Sequence, residues 1–200
     1  MADKEKPISP MLLLKSSALL YGLLVVAAVG LDQACSLNMA DALLPVDGWP
    51  AGKIVIMGLL GSALLLVVSY LFEDIFPTYR ALRDSLKGMI GSGPWWVIIL
   101  LALFSGVAEE LFFRGALQPL AGIWITSLFF GAVHLGPGGR FSVWSIWAML
   151  AGFLLGYMVE TTGSLWPAII CHVVLNGVSM GRLKLTRDTG VNSQAGRKEA

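Results

Sequence analysis

Six stretches of this chain are almost wholly apolar, at 16–31, 54–72, 95–117, 123–135, 143–159 and 165–181. The apolar residues run on without the polar face of a soluble amphipathic helix. A bilayer core of about 30 Å is crossed by roughly 20 helical residues. The pattern therefore predicts an all-α, polytopic transmembrane helical bundle of about six spans. Gly93-Pro94 opens the third stretch, and the fourth is short and ends in Gly136-Pro137-Gly138-Gly139. Pro167 falls in the first turn of the sixth, where its missing N–H costs nothing. The segment 73–87 mixes acids, bases, Phe76, Tyr79 and Leu82, and reads as an amphipathic helix lying along the interface.

Charge in the connections orients the bundle. The start carries Lys4, Lys6 and Lys15, the 73–93 connection Arg80, Arg83 and Lys87, the loop before the fifth stretch Arg140, and the tail Arg182, Lys184 and Arg187. The intervening connections are acidic or uncharged on balance. By the positive-inside rule both termini lie in the cytoplasm, in a multi-pass protein of the cell (inner) membrane. The first stretch is read as an uncleaved span rather than a signal peptide. Three parts are expected: 1–94, two helices and the interfacial segment; 95–181, a catalytic four-helix core; and 182–200, a polar, disordered tail.

Only 14% of the 200 residues are charged, against 56% hydrophobic, and the formal net charge of +1 gives no basic field for nucleic acid. The expected surroundings are the lipid bilayer and a protein or peptide substrate within it. Cys35 and Cys171 fall in unlike settings, so no disulfide framework is expected. The tryptophans at 95, 96, 124, 144, 147 and 166 flank the spans and read as interfacial belts.

Against this background the ionisable residues inside spans stand out, because burying them is costly. Glu109, Glu110 and Arg114 lie in the third stretch, and the only two histidines, His134 and His172, in the fourth and sixth. Glu109 is 11 residues before Leu120 and His134 11 residues after Ile123, each roughly 16 Å along a helix. His172 is 9 residues after Gly163, roughly 13 Å. One carboxylate and two imidazoles are thus predicted to share a layer, nearer the outer face. Glu110 and Arg114, four apart, are expected to pair as supporting residues. Phe130 shares a face with His134, and Asn176 with His172.

These groups suit hydrolysis of an amide. Glu109 could act as general base and then acid on a water that His134 also holds. His172 and Asn176 could donate to a developing oxyanion. The alternative is Zn²⁺ held by two imidazoles and a carboxylate with water in the fourth place. Neither histidine lies in an HExxH motif and no further His or clustered Cys is at hand, which favours a reaction without metal or other cofactor and leaves zinc as the alternative.

Glu109-Glu110-Leu-Phe-Phe-Arg114 reads EExxxR, Phe130 to His134 reads FxxxH, and His172 to Asn176 reads HxxxN. In this order, on successive apolar stretches, they resemble the CAAX protease and bacteriocin-processing (CPBP) family of intramembrane proteases over roughly 95–180. The resemblance implies a glutamic-type endopeptidase. In it Glu109 and His134 activate water, and His172 and Asn176 form the oxyanion hole. The compact chain looks like bacterial members that process membrane-associated or exported peptides. The alternative is a non-hydrolytic membrane protein, either an immunity-like binding factor or a proton-coupled transporter.

Overall fold

The computed structural model describes residues 9–91, 93–136 and 139–196. Lys4 and Lys6 of the basic start, Pro137 and Gly138 of the loop, and the Arg187 side chain lie outside that description. The helices are α1 (Pro10–Cys35), α2 (Ala51–Ile75), α3 (Pro77–Ile90), α4 (Trp95–Glu110), α5 (Gln118–Val133), α6 (Val143–Thr162) and α7 (Trp166–Gly196). A π-helical turn, Leu111–Leu117, joins α4 to α5, and a short 3₁₀ turn, Met39–Leu43, follows α1. No β-strand occurs among the described residues.

Five helical stretches are long and apolar enough to cross a membrane: Pro10–Cys35, Ala51–Ile75, Trp95–Val133, Val143–Thr162 and Trp166–Thr186. The third is not one rod. Gly122 has φ 77° and ψ 165°, outside helical geometry and in a region that favours glycine. The Phe113 and Phe130 rings touch, 4.9 Å between centroids, where a straight helix would hold them about 25 Å apart. The chain therefore doubles back at Gly122, as the third and fourth apolar stretches require.

Local chemistry sets the ends. Ser9 accepts from the Leu12 amide and Pro10 occupies the first turn of α1. Gly163, with φ 68°, closes α6. α7 packs along both α2 and α4, α5 along α6, and α1 along α4 and the π-helical turn. α3 is strongly amphipathic, as 73–87 predicted. Tyr79 buries its ring against Phe72, Trp144 and Trp147 and bonds the Ser69 hydroxyl at 2.8 Å. Burial pushes its phenol up to about 12, so it remains a neutral group.

Two expectations change. The tail predicted to be disordered from residue 182 continues α7 to Gly196. Arg182 pairs with Glu73 at 3.0 Å and lies 4.3 Å from the Tyr70 ring, and Leu183 is buried, so packing carries the helix past the apolar stretch. Trp147, 6% exposed, and Trp144, stacked on it at 4.9 Å, belong to the core instead of an interfacial belt. Trp95, Trp96, Trp124 and Trp166 do face outward.

Candidate active site

The acidic pair ends α4, where the backbone widens into the π-helical turn. Such turns relax the i→i−4 ladder and recur at functional sites. Glu110 is fully buried, Arg114 is 1% exposed, His172 4% and Glu109 8%. Their charges must therefore be balanced by one another. Arg114 Nη1 donates to Glu110 Oε1 at 2.9 Å. Its Nη2 donates to the Gly152 carbonyl at 3.1 Å, and the guanidinium lies 4.4 Å from the Phe130 ring. One turn on, Gln118 Nε2 donates to the Gly156 carbonyl at 3.1 Å. These two rungs fix the π-helical turn against α6.

His172 Nδ1 lies 2.7 Å from Glu110 Oε1. A carboxylate already bound by a guanidinium accepts, so the imidazole donates from Nδ1. Glu110 thus joins Arg114 and His172 across α4, the π-helical turn and α7, beyond the single Glu110–Arg114 pair expected. A doubly protonated His172 would balance Glu109 and Glu110 against Arg114 within the layer.

His134 caps α5, and α6 positions it. Ser145 Oγ donates to the His134 carbonyl at 2.8 Å and accepts from the Ser142 amide at 3.2 Å. Gly131 permits this approach, since a Cβ there would lie 2.6 Å from the Ser145 carbonyl oxygen. His134 Nδ1 is 2.7 Å from the Phe130 carbonyl, which can only accept, so the ring proton is on Nδ1. That leaves Nε2 as an acceptor in the neutral ring. It faces Glu109 Oε2 at 3.6 Å. Glu109 Oε2 is buried and carries no hydrogen bond of its own. Phe130 stands between the two imidazoles, 4.3 Å from the His134 ring and 6.1 Å from that of His172.

Glu109, His134 and His172 are therefore brought together as the register arithmetic predicted. Asn176 makes a contact that the sequence did not indicate. Its Nδ2 donates to Ser105 Oγ on α4 at 2.8 Å, so one of its two amide protons is committed to a neighbouring helix. Ser105 and Ser145 hold site residues in place, and neither shows in the sequence, because a serine inside a span is commonplace and only its partner gives it meaning.

A cavity of about 300 Å³ lies beside the layer; Asn176 lines it, but Glu109, Glu110, His134 and His172 do not. Tyr21, Ser105 and Asn176 border one end, and Glu73, Arg83 and Arg182 the other. It thus runs toward α3, although the layer itself is nearer the opposite loops. On that opposite side the 3₁₀ turn covers the bundle. Met39 lies over Gly115, the Leu165 amide donates to the Ala42 carbonyl at 2.9 Å, and Trp166 Nε1 donates to the Leu43 carbonyl at 2.9 Å.

Among the described residues, no group of three His, Cys, Asp or Glu side chains is arranged to hold a metal ion.

Fold and site together define an integral membrane helical bundle with a buried acid–imidazole layer beside a cavity lined by Ser105 and Asn176. Residues 91–178 match the family described as type II CAAX prenyl endopeptidase Rce1-like. The EExxxR, FxxxH and HxxxN motifs all lie within this segment, so it is this part of the chain that is similar to that family, within the CAAX protease and bacteriocin-processing group. The "Uncharacterized protein YpbD" of Bacillus subtilis (strain 168) is 40% identical over 83 residues, 40% of this chain. The matched stretch spans 42% of that relative's length. No solved structure matches significantly.

Proposed function

We propose that the protein is an intramembrane endopeptidase of glutamic type, cleaving a membrane-associated or exported protein or peptide. The observation that carries this reading is the 3.6 Å separation of Glu109 Oε2 and His134 Nε2, two atoms that can each accept a hydrogen bond from one water. A water about 2.8 Å from each could donate one hydrogen to each. Its oxygen is then free to attack a carbonyl carbon, with Glu109 taking a proton and returning it to the leaving amine. His172, when doubly protonated, donates from Nε2 to the oxyanion, supported by Glu110. The second amide proton of Asn176 serves the same oxygen. The cavity toward α3 is the path for the substrate chain. On the basic-loop orientation that face is cytoplasmic, with both termini on the same side, in the cell membrane.

The test is a comparison of N-terminal peptides from membranes carrying wild-type or His134→Ala protein. A shortened product should occur only with the wild type, its precursor accumulating with the variant. Identical peptide sets at equal protein levels would remove the proteolytic reading. Because no step is routed through a metal, a chelator is expected to leave cleavage of that precursor unchanged, and metal analysis to give well under one equivalent. Loss of cleavage restored by Zn²⁺ would reverse the assignment in favour of the metalloprotease.

A further inference from the structure

The backbones of α4 and α7 come close at Gly106. A Cβ there would lie 2.8 Å from the Val173 backbone nitrogen, so glycine sets the separation of the two helices. The preceding residue, Ser105, is 4% exposed. Facing it is Asn176, half-buried on α7. Ser105 also precedes Glu109 by four residues, so the two side chains share a face of α4, one turn apart. Both Ser105 and Asn176 line the cavity beside the layer.

Ser105 Oγ donates to the Ala102 carbonyl at 3.2 Å, three residues back on its own helix. Serines in helices commonly bond backward in this way. Here the bond has a consequence on the neighbouring helix. A hydroxyl has one proton and two lone pairs, and the carbonyl takes the proton. Toward α7, Ser105 Oγ can therefore only accept. An asparagine amide can present either a donor, Nδ2, or an acceptor, Oδ1. The serine selects the donor, and Asn176 Nδ2 lies 2.8 Å from Ser105 Oγ. With Nδ2 fixed there, its second proton remains for another acceptor.

From this geometry, and resting on the proteolytic reading above, we propose that Ser105 is a positioning residue for Asn176. It fixes which end of the amide serves the oxyanion. Turned over, the amide would offer Oδ1, whose lone pairs repel an oxyanion. The Ala102 carbonyl, by holding the serine proton, makes the choice one-sided. Helix α4 then carries the base, Glu109, and one turn earlier the group that orients the oxyanion donor.

Ser105→Ala removes one oxygen from the full-length protein. With heavy nitrogen in its asparagine side chains, solid-state NMR in lipid bilayers gives an amide signal for Asn176, assigned by its loss in Asn176→Ala. That signal should move in Ser105→Ala. It should stay in place in Ser62→Ala, which removes a buried hydroxyl that makes the same backward bond on α2, to the Leu59 carbonyl. With the precursor identified as above, Ser105→Ala should lower kcat about fivefold with KM within about twofold, as for loss of one neutral hydrogen bond. In an Asn176→Ala background the same substitution should change kcat by less than about twofold, since no amide remains to orient. An unmoved Asn176 signal, an unchanged kcat, or a loss of the same size without Asn176 would overturn the proposal. A moved signal in a protein that cleaves nothing would leave the contact standing and remove the proteolytic reading.

Discussion

Glu109→Gln is expected to abolish cleavage, reducing it by about 10³-fold, while the protein inserts and unfolds as the wild type does. Glutamine keeps the shape of the side chain. It cannot take a proton from water. The carboxylate Oε2 facing His134 Nε2 becomes an amide nitrogen or a weakly basic oxygen, and no second carboxylate can replace it. Glu110 is fully buried and bound by Arg114 and His172. The measurement is turnover of the accumulating precursor by purified protein, with thermal unfolding as the fold control. A variant that keeps the cellular phenotype, whether immunity or transport, would remove the hydrolytic reading.

The long helices were legible because hydrocarbon tolerates few alternatives, so uninterrupted apolar runs mean spans. The site was legible for the converse reason. Glu109, His134 and His172 are costly where they sit, and equal depth on different helices leaves little besides a shared purpose. What could not be read depended on tertiary contacts. Trp144 and Trp147 have the sequence position of interfacial residues, yet α3 folds over them and makes them core. The π-helical turn at Leu111–Leu117 has no distinctive composition; it is held by the Gly152 and Gly156 carbonyls on α6. Asn176 shares a helix face with His172, but periodicity did not show that Ser105 would claim one of its protons. The polar tail beyond 181 looked disordered because Glu73, its anchor, lies 109 residues earlier.

Arg114→Met should be the most destabilising single change in the bundle. Methionine fills much of the volume, but it strips the guanidinium from Glu110 and from the Gly152 carbonyl. A carboxylate with no exposed surface is then left with His172 as its one remaining cation. Removing one member of a buried pair costs about 3–5 kcal/mol, an apparent fall in unfolding temperature of about 10 °C for a chain of this size. Most of that cost is the stranded charge, not the lost attraction. The double variant Glu110→Gln/Arg114→Met should therefore recover a substantial part of the stability, because no carboxylate remains to be neutralised. It should not recover activity, since His172 would lose the ion pair that supports its second proton. Unfolding in detergent and in nanodiscs, read beside turnover, separates the two effects. If Arg114→Met melts with the wild type, or the double variant melts lower than the single one, the charge balance argued for this layer is wrong.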